Sequence, residues 1–283
     1  MDLTQRAPRS PYHIGVLGMM NTARMADKAR ARLSNTLGEY KAGQGSGRDQ
    51  RTLTSLGLSE DTFLEIVEKA QDDQSIETGI RAVSNINLDQ IKAFNALERD
   101  REPPNETYRR GFEERKLIVG QPEIITMLDM CDAEDIHDFG VPFDLTIGPP
   151  LSAHSGGILG IVCLGRLISK TKAFLNNTLS EYKFGANSGL DINTMKFLDL
   201  TETELIDGVG HRPDLPDLLK WLRSKISKSP HEITDWNRDR RARGPWNEEI
   251  QKMFDDRAVA VGRPDLATFL DLLDCEDAND YPQ

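Results

Sequence analysis

Five residues with chemical potential recur twice in this chain at one spacing. Arg24 and Lys28 stand four residues apart, as do Arg166 and Lys170. On a helix that spacing puts both cations on one face, where they repel modestly. Glu39, Tyr40 and Asp49 follow the first pair; Glu181, Tyr182 and Asp191 follow the second. These types suit two kinds of chemistry. In one, Arg and Lys hold an anionic ligand, Glu or Asp acts as acid or base, and Tyr donates a hydrogen bond. In the other, the charges form an internal ion-pair cluster that docks a turn onto the helix. Cations on a partly buried face need partners, so the internal cluster is the simpler expectation.

A second set is Asn95 with Arg99 and Arg101, matched by Asn237 with Arg241 and Arg243. A helix-face hydrogen bond and a solvated arginine are the plain reading; the sharper one makes these residues the other wall of the same pocket. Trp221, Trp236 and Trp246 have no tryptophan counterparts. Packing is their default role, and Trp236 beside Asn237 would also suit an aromatic wall.

The pairing extends over the whole chain. Shifted by 142 residues, the second half lies on the first without a gap, and about a third of the aligned positions are identical. Asp2-Leu3-Thr4 returns as Asp144-Leu145-Thr146, and Val119-Gly120-Gln121-Pro122 as Val261-Gly262-Arg263-Pro264. The 283 residues therefore divide into two repeats near the commonest domain size. Solenoid units are far shorter, at roughly 20–50 residues. The short junction, residues 136–142, contains Gly140 and Pro142. The expected units are residues 1–138 and 139–283, packed as a pseudo-twofold pair.

A net charge of -11 repels phosphate backbones and anionic lipid, which argues against nucleic acid and membranes as partners. The basic run 238–243 is expected to be a solvated helix face. The longest apolar stretch, 158–164, is followed by Arg166, whereas a membrane span needs about 20 apolar residues. Residues 1–12 lack the apolar core of a signal peptide. Cys131, Cys163 and Cys275 are too few and too scattered for a disulfide framework. A cytoplasmic location is expected.

No histidine has a histidine counterpart, and no His–X–X–X–His or Cys–X–X–Cys pair occurs. Asp129 and Asp132, matched by Asp271 and Asp274, read as a solvated acidic face. Neither a metal nor a cofactor is expected. Phosphate-loop, dinucleotide and Gly–X–Ser–X–Gly signatures are missing.

The elements that must position these residues read as helices, with no alternating strand pattern. The first helix of each repeat is expected near Val16–Ser34 and Ile158–Asn176, apolar nearly all round and hence buried. A flexible glycine-rich turn follows. There Gly47 and Gly189 suggest positive φ, and Asp49 and Asp191 suit the N-cap of the next helix. Thr201–Glu204 and Ser229–Glu232 fit capping boxes, the latter with Pro230 at the first helical position. Six or seven helices per repeat are expected.

Leu-Gly-Arg-Leu-Ile-Ser-Lys (164–170), Thr-Leu-Ser-Glu-Tyr-Lys-Phe-Gly (178–185), Ser-Gly-Leu-Asp (188–191), Phe-Leu-Asp-Leu (197–200) and Glu-Ile-Thr-Asp-Trp-Asn (232–237) resemble the bacterial family named domain of unknown function 5069. Weaker matches occur in the first repeat. The resemblance covers nearly all of both repeats, and the family name implies no activity, substrate or cofactor. Many members carry a cysteine near the glycine turn, where this chain has Gln44, Ser46, Ala186 and Ser188.

The expected fold is all-α, with two homologous helical domains from an internal duplication. The favoured function is a non-enzymatic cytosolic module that binds a small anionic ligand or a protein partner. The alternative is a metal-independent enzyme on an anionic small molecule, with Glu181 or Asp191 as acid and base and Arg166 and Lys170 as anchors.

Overall fold

The buried apolar runs that open each repeat are not where the first helices begin. Helix α1 spans Thr22–Leu33 and α8 spans Leu164–Leu175. The preceding residues, 16–21 and 158–163, are buried yet irregular. Leu17, Gly18 and Asn21 have φ of 60°, 72° and 67°, and Leu159, Gly160 and Cys163 have 54°, 67° and 71°. Left-handed backbone cannot continue a right-handed helix. An asparagine amide satisfies each segment instead. Asn95 donates to the Gly18 carbonyl at 2.8 Å and accepts from the Met20 N–H at 2.9 Å. Asn237 does the same for Gly160 at 2.7 Å and Val162 at 2.9 Å. Burial explains the apolar pattern, and the amide clamp explains how the segment can be buried without being helical.

The computed structural model describes residues 1–281, which contain fourteen α-helices and no strand. In the first repeat α1 is followed by α2 (Gly47–Leu56), α3 (Glu60–Lys69), α4 (Asp73–Val83), α5 (Leu88–Arg99), α6 (Glu106–Val119) and α7 (Met127–Phe139). In the second, α8 is followed by α9 (Gly189–Phe197), α10 (Glu202–Gly210), α11 (Leu215–Lys225), α12 (Pro230–Ala242), α13 (Glu248–Ala260) and α14 (Phe269–Asp280). Every second-repeat helix starts 142 residues after its counterpart, from Thr22 and Leu164 to Met127 and Phe269. Among the described residues no helix is long and apolar enough to cross a membrane.

Local signals set many of these ends. Thr201 with Glu204 and Ser229 with Glu232 form capping boxes, and Pro230 opens α12. The caps of α2 and α9 differ from expectation. Ser46 and Ser188 are the N-caps, accepting from the N–H groups of Asp49 at 3.3 Å and Asp191 at 3.4 Å. That leaves both aspartate side chains to turn inward. Positive φ falls on Gly43 (53°) and Gly185 (60°), while Gly47 and Gly189 begin helices. A Cβ on Gly43 or Gly185 would overlap the carboxylate of Glu60 or Glu202.

Packing sorts the chain into two compact units: Met1–Arg101 with the segment beginning at Asp274, and Glu102–Leu273. The first is built on Val16, Leu17 and Met19 with apolar residues of α1 to α5, among them Leu53, Phe63, Ile80 and Phe94. The second contains α6 and α7 of the first repeat together with most of the second. Its core joins Ile136 and Val141 to Ile158, Leu164, Leu198, Leu218 and Leu222. Each such side chain contributes about 1.5–3 kcal/mol on full burial. Gln121 adds polar registration, accepting from the Leu159 N–H at 2.7 Å and donating to the Gly157 carbonyl at 3.0 Å.

Candidate functional site

The matched residues gather around a buried ion pair. Helices α1 and α8 place the lysines, and the first turns of α2 and α9 place the aspartates. Lys28 Nζ lies 2.6 Å from Asp49 Oδ2, and Lys170 Nζ lies 2.6 Å from Asp191 Oδ1. All four side chains are buried. Each lysine also donates to a turn carbonyl: Lys28 to Lys41 at 3.1 Å and Lys170 to Lys183 at 3.0 Å. Each carboxylate also accepts a backbone N–H from its turn. Asp49 Oδ2 accepts from the Gly43 N–H at 3.0 Å, and Asp191 Oδ2 from the Gly185 N–H at 3.1 Å. Burial is the dominant influence on ionisation. It pulls Lys28 and Lys170 down and pushes Asp191 up, while the partner's charge opposes each shift.

The glycine-rich turn is tied by a further carboxylate. Glu60 accepts from the Gln44 N–H at 2.8 Å, and Glu202 from the Ala186 N–H at 2.7 Å. Arg32 pairs with Glu60 in the first repeat. The turn expected to be flexible is thus pinned from both sides.

Arg24 and Arg166 are buried beside the pair and reach backward to backbone. Arg24 donates to the Arg9 carbonyl at 3.0 Å, and Arg166 to the Leu151 carbonyl at 3.5 Å. Each guanidinium also sits 5.5 Å from a ring centroid, Tyr40 or Tyr182. Such stacking is worth about 0.5–2 kcal/mol, more as water is excluded. Tyr40 and Tyr182 therefore roof the cluster while keeping part of their surface in water.

Glu39 and Glu181 are not brought into it. Both are exposed, as are Lys41 and Lys183 after the tyrosines. Asn95 and Asn237 serve as backbone clamps. Trp236 joins the second clamp: its Nε1 donates to the Val162 carbonyl at 3.0 Å, and its ring stacks on Phe197 at 4.3 Å. Trp221 is buried in the core, whereas Trp246 is 65 % exposed.

One matched position differs in consequence. Asn21 Nδ2 donates to Asp49 Oδ1 at 3.2 Å and to Thr52 at 3.0 Å. Its counterpart is Cys163, whose thiol burial pushes up to about 12 and which lies 3.5 Å from the Ala153 carbonyl.

A second buried polar group lay beyond sequence reasoning. His154 Nε2 meets Asp271 Oδ1 at 2.9 Å. Arg241 donates to the His154 carbonyl at 3.0 Å and lies 3.4 Å from Asp129 Oδ1, which accepts from the Gly156 N–H at 2.7 Å. The terminal-helix aspartates are therefore not a solvated face: Asp129, Asp132 and Asp274 are buried. Nor is the basic run wholly solvated, because Arg240 and Arg241 are buried. Unpaired acids and cations would not survive such burial; Asp129 and Arg241 have each other, and Arg240 has Asp239.

No curated protein matches the chain. The family model described as domain of unknown function (DUF5069) matches it twice, over residues 5–137 and 150–279. With both repeats covered nearly end to end, the chain belongs to the DUF5069 family, as a tandem duplication of that domain.

Proposed function

We propose that this protein is a non-enzymatic binding module that presents one solvent-facing Glu–Tyr–Lys turn per repeat, Glu39-Tyr40-Lys41 and Glu181-Tyr182-Lys183, to a protein partner. The carrying observation is what the two repeats keep without a folding reason. Lys28 and Asp49 and their counterparts are buried and paired, and Arg24 and Arg166 are buried against backbone carbonyls, so packing accounts for them. Glu39, Lys41, Glu181 and Lys183 are exposed, and among the described residues their side chains make no hydrogen bond or ion pair. They are nonetheless identical in repeats that differ at about two thirds of positions.

The chemistry of the turn suits protein recognition. A half-exposed tyrosine supplies rigid amphipathic area, and flanking charges of opposite sign set register. The Arg24 and Arg166 stacks hold the rings in place, which lowers the ordering cost of binding. An acid–base role for Asp191 would require its carboxylate to reach a substrate; it is 1 % exposed, with both oxygens engaged. The net charge of -11 disfavours nucleic acid and anionic membranes. Three free thiols accord with a cytoplasmic setting.

The test is affinity capture from host lysate with the wild type and a charge-swapped variant, Glu39→Lys, Lys41→Glu, Glu181→Lys and Lys183→Glu. Net charge and fold are unchanged, the latter checked by circular dichroism. Loss of a specific captured protein is expected. Equal capture by both forms would overturn the proposal.

A further inference from the structure

We infer that the end of α14 is an exchangeable segment, seated on the first repeat in a site that a second copy of this chain can fill. The inference does not use the Glu–Tyr–Lys turns. One compact unit is assembled from residues 1–101 and the segment beginning at Asp274. The seat for that segment lies just before α1. A Cβ built on Gly15 would stand 3.0 Å from the Ala278 Cβ, and Asp277 lies within electrostatic reach of His13. Asp274, Cys275 and Asp277 are buried. Carboxylates are buried only where polar partners receive them, so this helix end is held by a specific site rather than by loose apolar contact.

The other unit has the same seat, filled in the same way. Gly157 is the counterpart of Gly15, and α7 of the first repeat packs on it. A Cβ built on Gly157 would stand 2.8 Å from the Asp132 Cβ and 3.1 Å from the Ala133 nitrogen. Asp129 accepts from the neighbouring Gly156 N–H at 2.7 Å. Asp132 and Ala133 are the counterparts of Asp274 and Cys275, and all four are buried. In each unit, therefore, the opening segment of one repeat is covered by the last helix of the other. Glycine at the matched position gives the helix room to approach. Reciprocal lending of an equivalent element is the arrangement from which copies of a chain exchange segments at low cost.

The path of the chain selects the second copy as the other occupant. Residues 102–273 form a unit of their own between the two parts of the first. The chain leaves the 1–101 body at residues 100–105, which lie outside α5 and α6 and include Pro103 and Pro104. When that connection reorients in two chains, each 1–101 body takes the other's α14 end and a closed dimer forms. The contacts at Gly15 and His13 are the same in both forms, so their stability differs little. Within one chain the tethered segment competes at an effective concentration on the order of millimolar. The single chain is therefore the resting form, and exchange requires concentrated protein and transient opening.

The test holds the full chain at about 0.5 mM in urea just below its unfolding midpoint, returns it to buffer and dilutes it, with mass read by light scattering. A dimer that persists on dilution is expected, and it should revert to monomer after complete unfolding and refolding at about 1 µM. Gly15→Val and Ala278→Phe crowd the seat from its two sides. In each, amide hydrogen exchange across residues 275–280 should quicken at least about tenfold while that of α7 stays unchanged, and the dimer should be lost. The wild-type arm decides the question whether or not the variants fold. Monomer alone at every concentration, a dimer that dissociates on dilution, or unchanged protection of residues 275–280 in both variants would overturn the inference.

Discussion

Lys170 and Asp191, 2.6 Å apart and buried, form an ion pair that both repeats keep, while a neighbouring ionic network of the first repeat is matched by uncharged residues in the second. In the first repeat Arg9 pairs with Asp27 at 2.7 Å and also with Asp73. In the second the matched residues are Leu151, Ser169 and Leu215. Buried ion pairs are often replaceable in this way without loss of stability. The lysine–aspartate pair differs because it also holds backbone. Asp191 fixes the Gly185 N–H and Lys170 the Lys183 carbonyl, so its replacement would orphan the turn.

The amide clamps should matter more than their size suggests. Asn237→Ala leaves the Val162 N–H and the Gly160 carbonyl buried without partners. The expected cost is about 2–4 kcal/mol by urea unfolding, with a similar cost for Asn95→Ala. A loss below about 0.5 kcal/mol, the range of ordinary surface substitutions, would contradict the clamp.

His13 makes stability depend on pH. Burial, with the charge of Arg9 nearby, pulls it down to about 4 from 6.5, and its Nδ1 accepts from the Gly15 N–H at 3.1 Å. Between those values the unfolded chain binds more protons than the folded one. This contribution is therefore fully present above about pH 6.5 and is lost as pH falls toward 4. From pH 7.5 to 5.0 the loss should be about 2 kcal/mol by urea unfolding. His13→Gln should flatten that fall; an identical fall in both proteins would rule it out.

The first repeat lacks an aromatic pair beside Gly43. A narrow recess there is lined by Met25, Ala29, Arg32, Ala42, Leu53, Phe63 and Leu64. In the second repeat Phe174 and Phe184 stack there at 5.0 Å, where the first has Arg32 and Ala42. Arg32→Phe with Ala42→Phe should raise stability by about 1 kcal/mol, offset only slightly by the lost exposed pair to Glu60. A lower melting temperature than wild type would contradict this filling.

What could be read from the residues was local or repeated. The 142-residue offset carries the register of every helix, and Thr201–Glu204 and Ser229–Glu232 announce helix starts within four residues. The first helices began late because a buried loop and a buried helix share one apolar pattern; the matched Gly18 and Gly160 were the available hint. Asp49 and Asp191 passed for caps because serine and aspartate both suit that role, and only packing shows which side chain turns inward. His154 and Asp271 are 117 residues apart, and Arg241 and Asp129 are 112 apart. No spacing rule reaches that far. The requirement that chemistry recur in both repeats also hid His154, whose counterpart is the buried Tyr12.

Lys170→Met and Asp191→Leu, made singly and together, separate a pair that holds the fold from a pair that binds. Each single variant leaves one buried charge and should cost about 3–5 kcal/mol in urea unfolding. The double variant removes both charges and should be less destabilised than either single one, its remaining loss of about 1–2 kcal/mol coming from the Gly185 N–H and Lys183 carbonyl. It should still capture the partner that requires the Glu–Tyr–Lys turns. A double variant that is folded and stable but no longer captures that partner would contradict the division of roles.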